Sequence, residues 1–134
     1  MQLRGQATVE TIAAFVEAIE RACRDAGVDG EALYSVKLAV EEVCLNVLNH
    51  GYRGESGPLA VDFQSNPRKI VITISDSAPP FAPEDAPPVD TTSGWEERGI
   101  GGYGWHLVKS MMDRLEYETA PDGGNRLTLT KMRV

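Results

Sequence analysis

The stretch EEVCLNVLNHGY, Glu41 to Tyr52, has the spacing of a helix but sets polar residues where a helix normally keeps its core. At about 100° per residue, Val36, Val40, Val43 and Val47 share one apolar stripe, and Leu38 and Leu45 lie on its other flank. Glu42, Asn46 and Asn49 project between them, facing inward, while Lys37 and Glu41 take the solvent side as a pair four residues apart. A carboxylate and amides enclosed by apolar neighbours are costly unless hydrogen-bonded or coordinated, so the row is a candidate site. A self-satisfied polar network between helix and sheet would produce the same pattern, and this stretch by itself does not separate the two.

Composition narrows the class. The chain has 134 residues, 42% hydrophobic and 25% charged, which suits one globular domain over 1–134 with a core of its own. Cys23 and Cys44 fall in helical apolar patterns and form no C-x-x-C pair, as reduced core thiols of a cytosolic protein would. The longest strongly apolar run, IVITI (70–74), is too short to span a membrane, and MQLRGQATVE has no signal-peptide core. The expectation is a cytoplasmic protein with no membrane partner. A net charge of -7 and a pI near 4.8 also disfavour nucleic acid, whose binders need basic surface.

Val9, Ile12, Val16, Ile19, Cys23 and Ala26 recur at three- and four-residue spacings, so a first amphipathic helix runs up to Gly27. The second starts near Glu31 and closes around His50-Gly51. LAVDFQ (59–64) and KIVITIS (69–75) form a hairpin around Asn66-Pro67. From Asp76 to Arg98 there is no sustained periodicity, and Pro79, Pro80, Pro83, Pro87 and Pro88 mark a long loop of the kind that serves as a lid. A glycine-rich turn then precedes a helix from about Trp105 to Asp113, and RLEYET and RLTLTKM alternate as strands around the turn Pro121 to Gly124. This order predicts an α+β fold: a two-layer α/β sandwich with helices on one face of a mixed, mostly antiparallel sheet.

Two further features bear on chemistry. Gly99, Gly101 and Gly104 fit G-x-G-x-x-G, but no strand precedes them as in a dinucleotide fold, and they open a helix rather than lie between strands as in a protein kinase. What remains is a set of unhindered N–H groups at a helix start, an anion site, with a plain flexible hinge as the alternative. Asp76 follows Ile70, Ile72 and Ile74 at period two, so it ends the inward face of its strand. There an acceptor-only carboxylate can take a hydrogen bond from an exocyclic amino group such as that of adenine; taken singly, it is also an ordinary turn residue. Together, the inward polar row, the strand-ending Asp and the glycine-rich helix start describe a nucleotide pocket.

The chain resembles the gyrase and histidine-kinase ATPase superfamily. Glu42, Asn46, His50 and Tyr52 (E-x-x-x-N-x-x-x-H-x-Y), Asp76 to Phe81 (D-x-x-x-P-F), GIGGYGWHLVKSMMDRLEYE and GGNRLTL are similar to its N, G1, G2 and G3 boxes, in order over nearly the whole chain. Within it the chain is most similar to the anti-sigma-factor serine kinases of the RsbW type. The resemblance implies that Glu42 is the general base and that Asn46 holds Mg²⁺. It places Asn49 and His50 along the nucleotide edge, Asp76 on the adenine amino group, and the amides of Gly101, Gly102, Tyr103 and Gly104 around the phosphates of ATP. Ala78, Phe81, Gly99, Ile100, Trp105 and Asn125 complete the implied nucleotide site, under an ATP lid over about 82–104 that should order on the γ-phosphate. Two positions depart from the pattern. Ala78 stands where glycine is usual, and a positive φ there would cost about 1 kcal/mol. Asn125 stands where threonine is common. The implied activity is that of an ATP-dependent serine kinase that phosphorylates a STAS-type anti-sigma-factor antagonist and sequesters a sigma factor. A non-catalytic ATP-binding switch is the alternative, and a homodimer is left open.

Overall fold

The computed structural model describes residues 1–79, 102–121 and 123–133, for 102–106 the backbone only. Five strands, β1 (Gln2–Gln6), β2 (Pro58–Ser65), β3 (Lys69–Asp76), β4 (Arg114–Thr119) and β5 (Asn125–Met132), form one sheet in the order β1-β2-β3-β5-β4. Every pairing among them is antiparallel, so the sheet expected to be mixed but mostly antiparallel is antiparallel throughout the described residues. Among the described residues three helices supply the second layer: α1 (Val9–Asp25), α2 (Gly30–Asn46), which continues through a π-helical turn over Val47–Gly51, and α3 (Gly102–Met111). α2 packs against both α1 and α3.

Period-two alternation decides which side of the sheet meets the helices. Leu59, Val61 and Phe63 on β2, Ile70, Ile72 and Ile74 on β3, and Leu127 and Leu129 on β5 are buried against Ile12, Val16, Ile19, Val36, Ala39, Val40, Val43 and Val108. Each fully buried branched side chain contributes about 1.5–3 kcal/mol relative to exposure, which makes this interface the main source of stability.

β1 is the element that sequence periodicity misses. Leu3 is its one large apolar residue, and the strand is held as an edge by backbone pairing from Gln2↔Asp62 to Gln6↔Pro58. Lys37 also departs from expectation. It reaches across to Glu20 of α1 at 2.6 Å instead of pairing with Glu41, and Arg24 meets the same carboxylate at 2.9 Å. The hydrogen bond from Lys37, then that from Arg24, hold the Glu20 carboxyl below its ordinary range.

Both cysteines are buried free thiols. Burial pushes Cys23 up to about 11 and Cys44 up to about 12, so both are neutral near pH 7. Among the described residues no helix is long and apolar enough to cross a membrane.

α1 is capped at its start by Thr8, whose side-chain oxygen accepts from the Thr11 amide at 3.0 Å, and ends before Gly27, which takes a left-handed φ of +82°. Its last carbonyls need a donor. Arg133 supplies one, giving a bond of 2.7 Å to the Ala26 carbonyl while its other terminal nitrogen donates to the Asn66 carbonyl at 2.9 Å. One cation thus ties the helix C-terminus, where positive charge is favoured, to the β2–β3 hairpin. Arg133→Met keeps an aliphatic stem and removes both bonds. Urea denaturation should show a loss of about 1–3 kcal/mol with an unchanged m-value; an unchanged midpoint would show that water replaces the clip without loss.

Candidate functional site

The sheet register assembles one end of the site. Asp76 ends β3 opposite Leu59 on β2 and Asn125 on β5, and Asn125 in turn faces Thr119 on β4. Alternation puts Asp76 in line with Ile70, Ile72 and Ile74, and Asn125 in line with Leu127 and Leu129, on the helix-facing side. Asp76 is 8% exposed and Asn125 6%. The Ala78 amide donates to Asp76 Oδ1 at 2.8 Å, and Asn125 Nδ2 donates to the same oxygen at 2.9 Å. The Asn125 amide nitrogen also reaches the carbonyls of Ala78 (3.3 Å) and Pro79 (3.1 Å). Tyr117 donates its hydroxyl to Asn125 Oδ1 at 2.6 Å. Cys44 of α2 lies near enough for the Asp76 charge to add to the rise of its thiol, whose main cause is burial.

The turn after β3 is gripped from the helical side as well. The Tyr52 hydroxyl accepts from the Ser77 amide at 2.8 Å and donates to the Pro58 carbonyl at 2.6 Å. Three glycines make the close approaches possible. A Cβ at Gly57 would overlap the Tyr52 ring, one at Gly124 would run into the Asp76 carbonyl oxygen, and one at Gly51 would stand 3.1 Å from the Ala78 methyl. Ala78 itself carries no left-handed strain: Arg53, at φ 54°, is the one non-glycine residue with positive φ among those described. The cost foreseen for a methyl at this position is therefore not incurred, and the buried methyl packs toward a glycine instead.

α2 carries the polar row to this turn. Asn46 is 7% exposed, and its Nδ2 is the buried side-chain polar atom without a hydrogen-bond partner among the described residues. An unmet buried amide costs about 1–3 kcal/mol, a cost that a bound ligand would remove. Glu42 lies one turn earlier and is half-buried. The row stops there. The Tyr52 amide bonds the Val47 carbonyl at 2.8 Å, an i→i+5 closure, and the widened turn leaves Asn49 and His50 both exposed. The inward position read for Asn49 from uniform α-helical rotation is thus corrected by the π turn.

α3 begins at Gly102, three residues before the expected start near Trp105. The amides of Gly102, Tyr103 and Gly104 therefore belong to its first turn, where N–H groups lack helical acceptors. Phe81, Gly99, Ile100, Gly101 and most of the lid segment lie outside the described residues. The structure thus gathers Asp76, Ala78 and Asn125 at the strand ends and brings the π turn against them, with α3 beside α2. Sequence reasoning missed the role of Tyr117. Its signal was its place on the same face as Leu115, diagonal to Asn125 across β4 and β5.

Gly124→Ala tests how tightly these ends are packed. The added methyl meets backbone, which cannot swing aside as a side chain would, so an equilibrium unfolding curve should show a loss of roughly 1–3 kcal/mol. Wild-type stability would mean that the β3–β5 approach is looser than described.

Comparison with known proteins bears on family and fold. Residues 5–131 match a family described as "Histidine kinase-like ATPase domain". The chain is 30% identical over 108 residues to a protein of Bacillus pumilus (strain SAFR-032) named "Serine-protein kinase RsbW", covering 75% of this chain and 65% of that one. It thus spans slightly less than two thirds of that relative. It is 31% identical over 113 residues to the protein of the same name from Listeria monocytogenes serovar 1/2a (strain ATCC BAA-679 / EGD-e), covering 79% and 69%. An "Anti-sigma F factor" of Thermoanaerobacter pseudethanolicus (strain ATCC 33223 / 39E) is 30% identical over 103 residues, covering 75% and 71%. Among solved structures, the SiaB-SiaC complex from Pseudomonas aeruginosa contains a chain that superposes with a TM-score of 0.62 at 12% identity, over 99% of this chain and 89% of its own, a likeness of fold. Matched over nearly its whole length, this chain belongs to the histidine kinase-like ATPase domain family.

Proposed function

We propose that the chain is an ATP-dependent protein serine kinase that works in the cytosol as an anti-sigma factor. Its phosphoryl acceptor would be a serine of a STAS-type anti-sigma-factor antagonist, and its second partner a sigma factor held inactive. The observation that carries the reading is the buried Asn46 Nδ2, which no described residue meets, one helical turn beyond half-buried Glu42. It gains weight from relatives that carry serine-kinase and anti-sigma names.

The roles are those the family resemblance implies, and donor chemistry supports them. Asp76 accepts from the amino group of adenine, since an ionised carboxylate is acceptor-only and the base edge presents a donor. The amides of Gly102, Tyr103 and Gly104, at the positive end of α3, receive phosphate charge. The carboxamide oxygen of Asn46 would hold Mg²⁺, a hard cation that takes few protein ligands, while its Nδ2 is a donor suited to an anionic phosphate oxygen. When bound, Mg²⁺ neutralises phosphate charge. Glu42 accepts the proton of the serine hydroxyl as its oxygen bonds to the terminal phosphorus and the bond to the bridging oxygen breaks, leaving ADP. Phosphoryl transfer is mostly positioning and charge stabilisation, so this short set of groups suffices.

Two substitutions separate binding from chemistry. Asp76→Ala should abolish most of the ATP-dependent rise in melting temperature, because a ligand that binds only the folded state stabilises by mass action. A melting shift equal to wild type would remove Asp76 from the site. Glu42→Gln preserves shape but not basicity. ATP binding should persist while transfer to a serine acceptor falls roughly 10²-fold or more. Undiminished transfer would refute the base assignment, and ATP binding with no transfer even in the wild-type chain would favour a nucleotide-operated switch.

A further inference from the structure

Asn125 occupies a position from which it touches the adenine-reading carboxylate and the turn behind it at once. Its Nδ2 donates to Asp76 Oδ1 at 2.9 Å and meets the Ala78 and Pro79 carbonyls at 3.3 and 3.1 Å. All three are acceptors, so the NH₂ end of the amide must face them and the carbonyl end must point away. There the Tyr117 hydroxyl donates to Oδ1 at 2.6 Å. The amide is held from both ends, with polarity and rotation set. The register explains why: Asp76 and Asn125 are directly paired across β3 and β5, and Tyr117 sits diagonal to Asn125 on the same face.

We infer that Asn125, oriented by Tyr117, is a positioning residue for base selectivity, holding the Asp76 carboxylate and the Ala78-Pro79 turn in the single arrangement that accepts an adenine amino group. This rests on the reading of Asp76 as the adenine acceptor. A carboxylate with a free side-chain torsion rotates to suit either a donor or, through water, the carbonyl of guanine. One tied to its own turn cannot adapt, and guanine then sets oxygen against oxygen. The tie has a chemical logic particular to this chain. A threonine hydroxyl has one proton to donate, whereas the asparagine amide has two and adds an acceptor, so it binds carboxylate, turn and edge strand together. Tyr117 acts from the edge strand through Asn125.

The test uses the full chain and three probes, Mg-ATP, Mg-GTP and inorganic tripolyphosphate, titrated into wild type, Tyr117→Phe, Asn125→Leu, Asn125→Thr and Asp76→Ala. Tyr117→Phe removes one oxygen from a half-buried edge position, so it remains informative even where Asn125→Leu fails to fold. ATP affinity should fall about three- to ten-fold in Tyr117→Phe and about ten-fold or more in Asn125→Leu. GTP and tripolyphosphate affinities should stay within about two-fold of wild type, so that the ATP/GTP ratio drops. Asn125→Thr, which restores one donor, should recover part of that ratio. An unchanged ratio in Tyr117→Phe overturns the inference while leaving the Asp76 reading intact. So does an equal loss for all three probes, which would mark a merely structural role. Full ATP affinity in Asp76→Ala overturns the underlying reading and the inference with it.

Discussion

The close approach of β5 to the end of β3 is the constraint on which the site depends. With glycine at 124 the two backbones meet without a Cβ between them, and the antiparallel register then sets Asn125 directly opposite Asp76. Everything at the strand ends follows from that one pairing. The carboxylate receives its second donor, the turn carbonyls of Ala78 and Pro79 come within reach of one amide, and Tyr117 finds that amide on the diagonal. A one-residue slip would turn Asp76 to the far face of the sheet and lose all of it.

The helical side meets the same turn by a different device. α2 arrives buried along its valine stripe, and a continued α-helix would keep rotating at the same rate. The π turn interrupts that rotation, ends the buried row at Asn46 and delivers Tyr52 to the Pro58 carbonyl and the Ser77 amide. Gly51 and Ala78 complement each other in this contact, since a side chain at 51 would compete with the Ala78 methyl for space. The site is thus clamped from sheet and helix layers at once, while the apolar interface between those layers supplies most of the stability.

Polar groups here divide by what they hold. Asp76 and Asn125 hold each other and the turn. Asn46 presents a buried amide atom that no described residue meets. A folded chain tolerates such a group at a cost comparable to a hydrogen bond, and ligand sites are where that cost is recovered. The ion pairs of Glu20 with half-exposed Lys37 and exposed Arg24 contribute little by comparison, because water still screens them.

By itself the sequence determined the elements with strong periodicity: the α1 stripe, the valine stripe of α2, the β2–β3 hairpin and the alternation of β4 and β5. It also marked Glu42, Asn46, Asp76 and Asn125 as candidates, because a polar residue in an apolar row stands out and the box pattern runs in order along the chain, and the structure buries the last three and half-buries Glu42. Boundaries were less legible. β1 went unread because an edge strand with one large apolar residue is held by backbone pairing, which leaves no side-chain pattern. The outward turn of Asn49 and His50 required the π closure, which depends on where Tyr52 can dock. The pairing of Lys37 with Glu20 instead of Glu41 depended on the packing of α1 beside α2. Only tertiary structure decided these, because each is settled by a partner distant in sequence, and local periodicity carries no information about which distant group comes within reach.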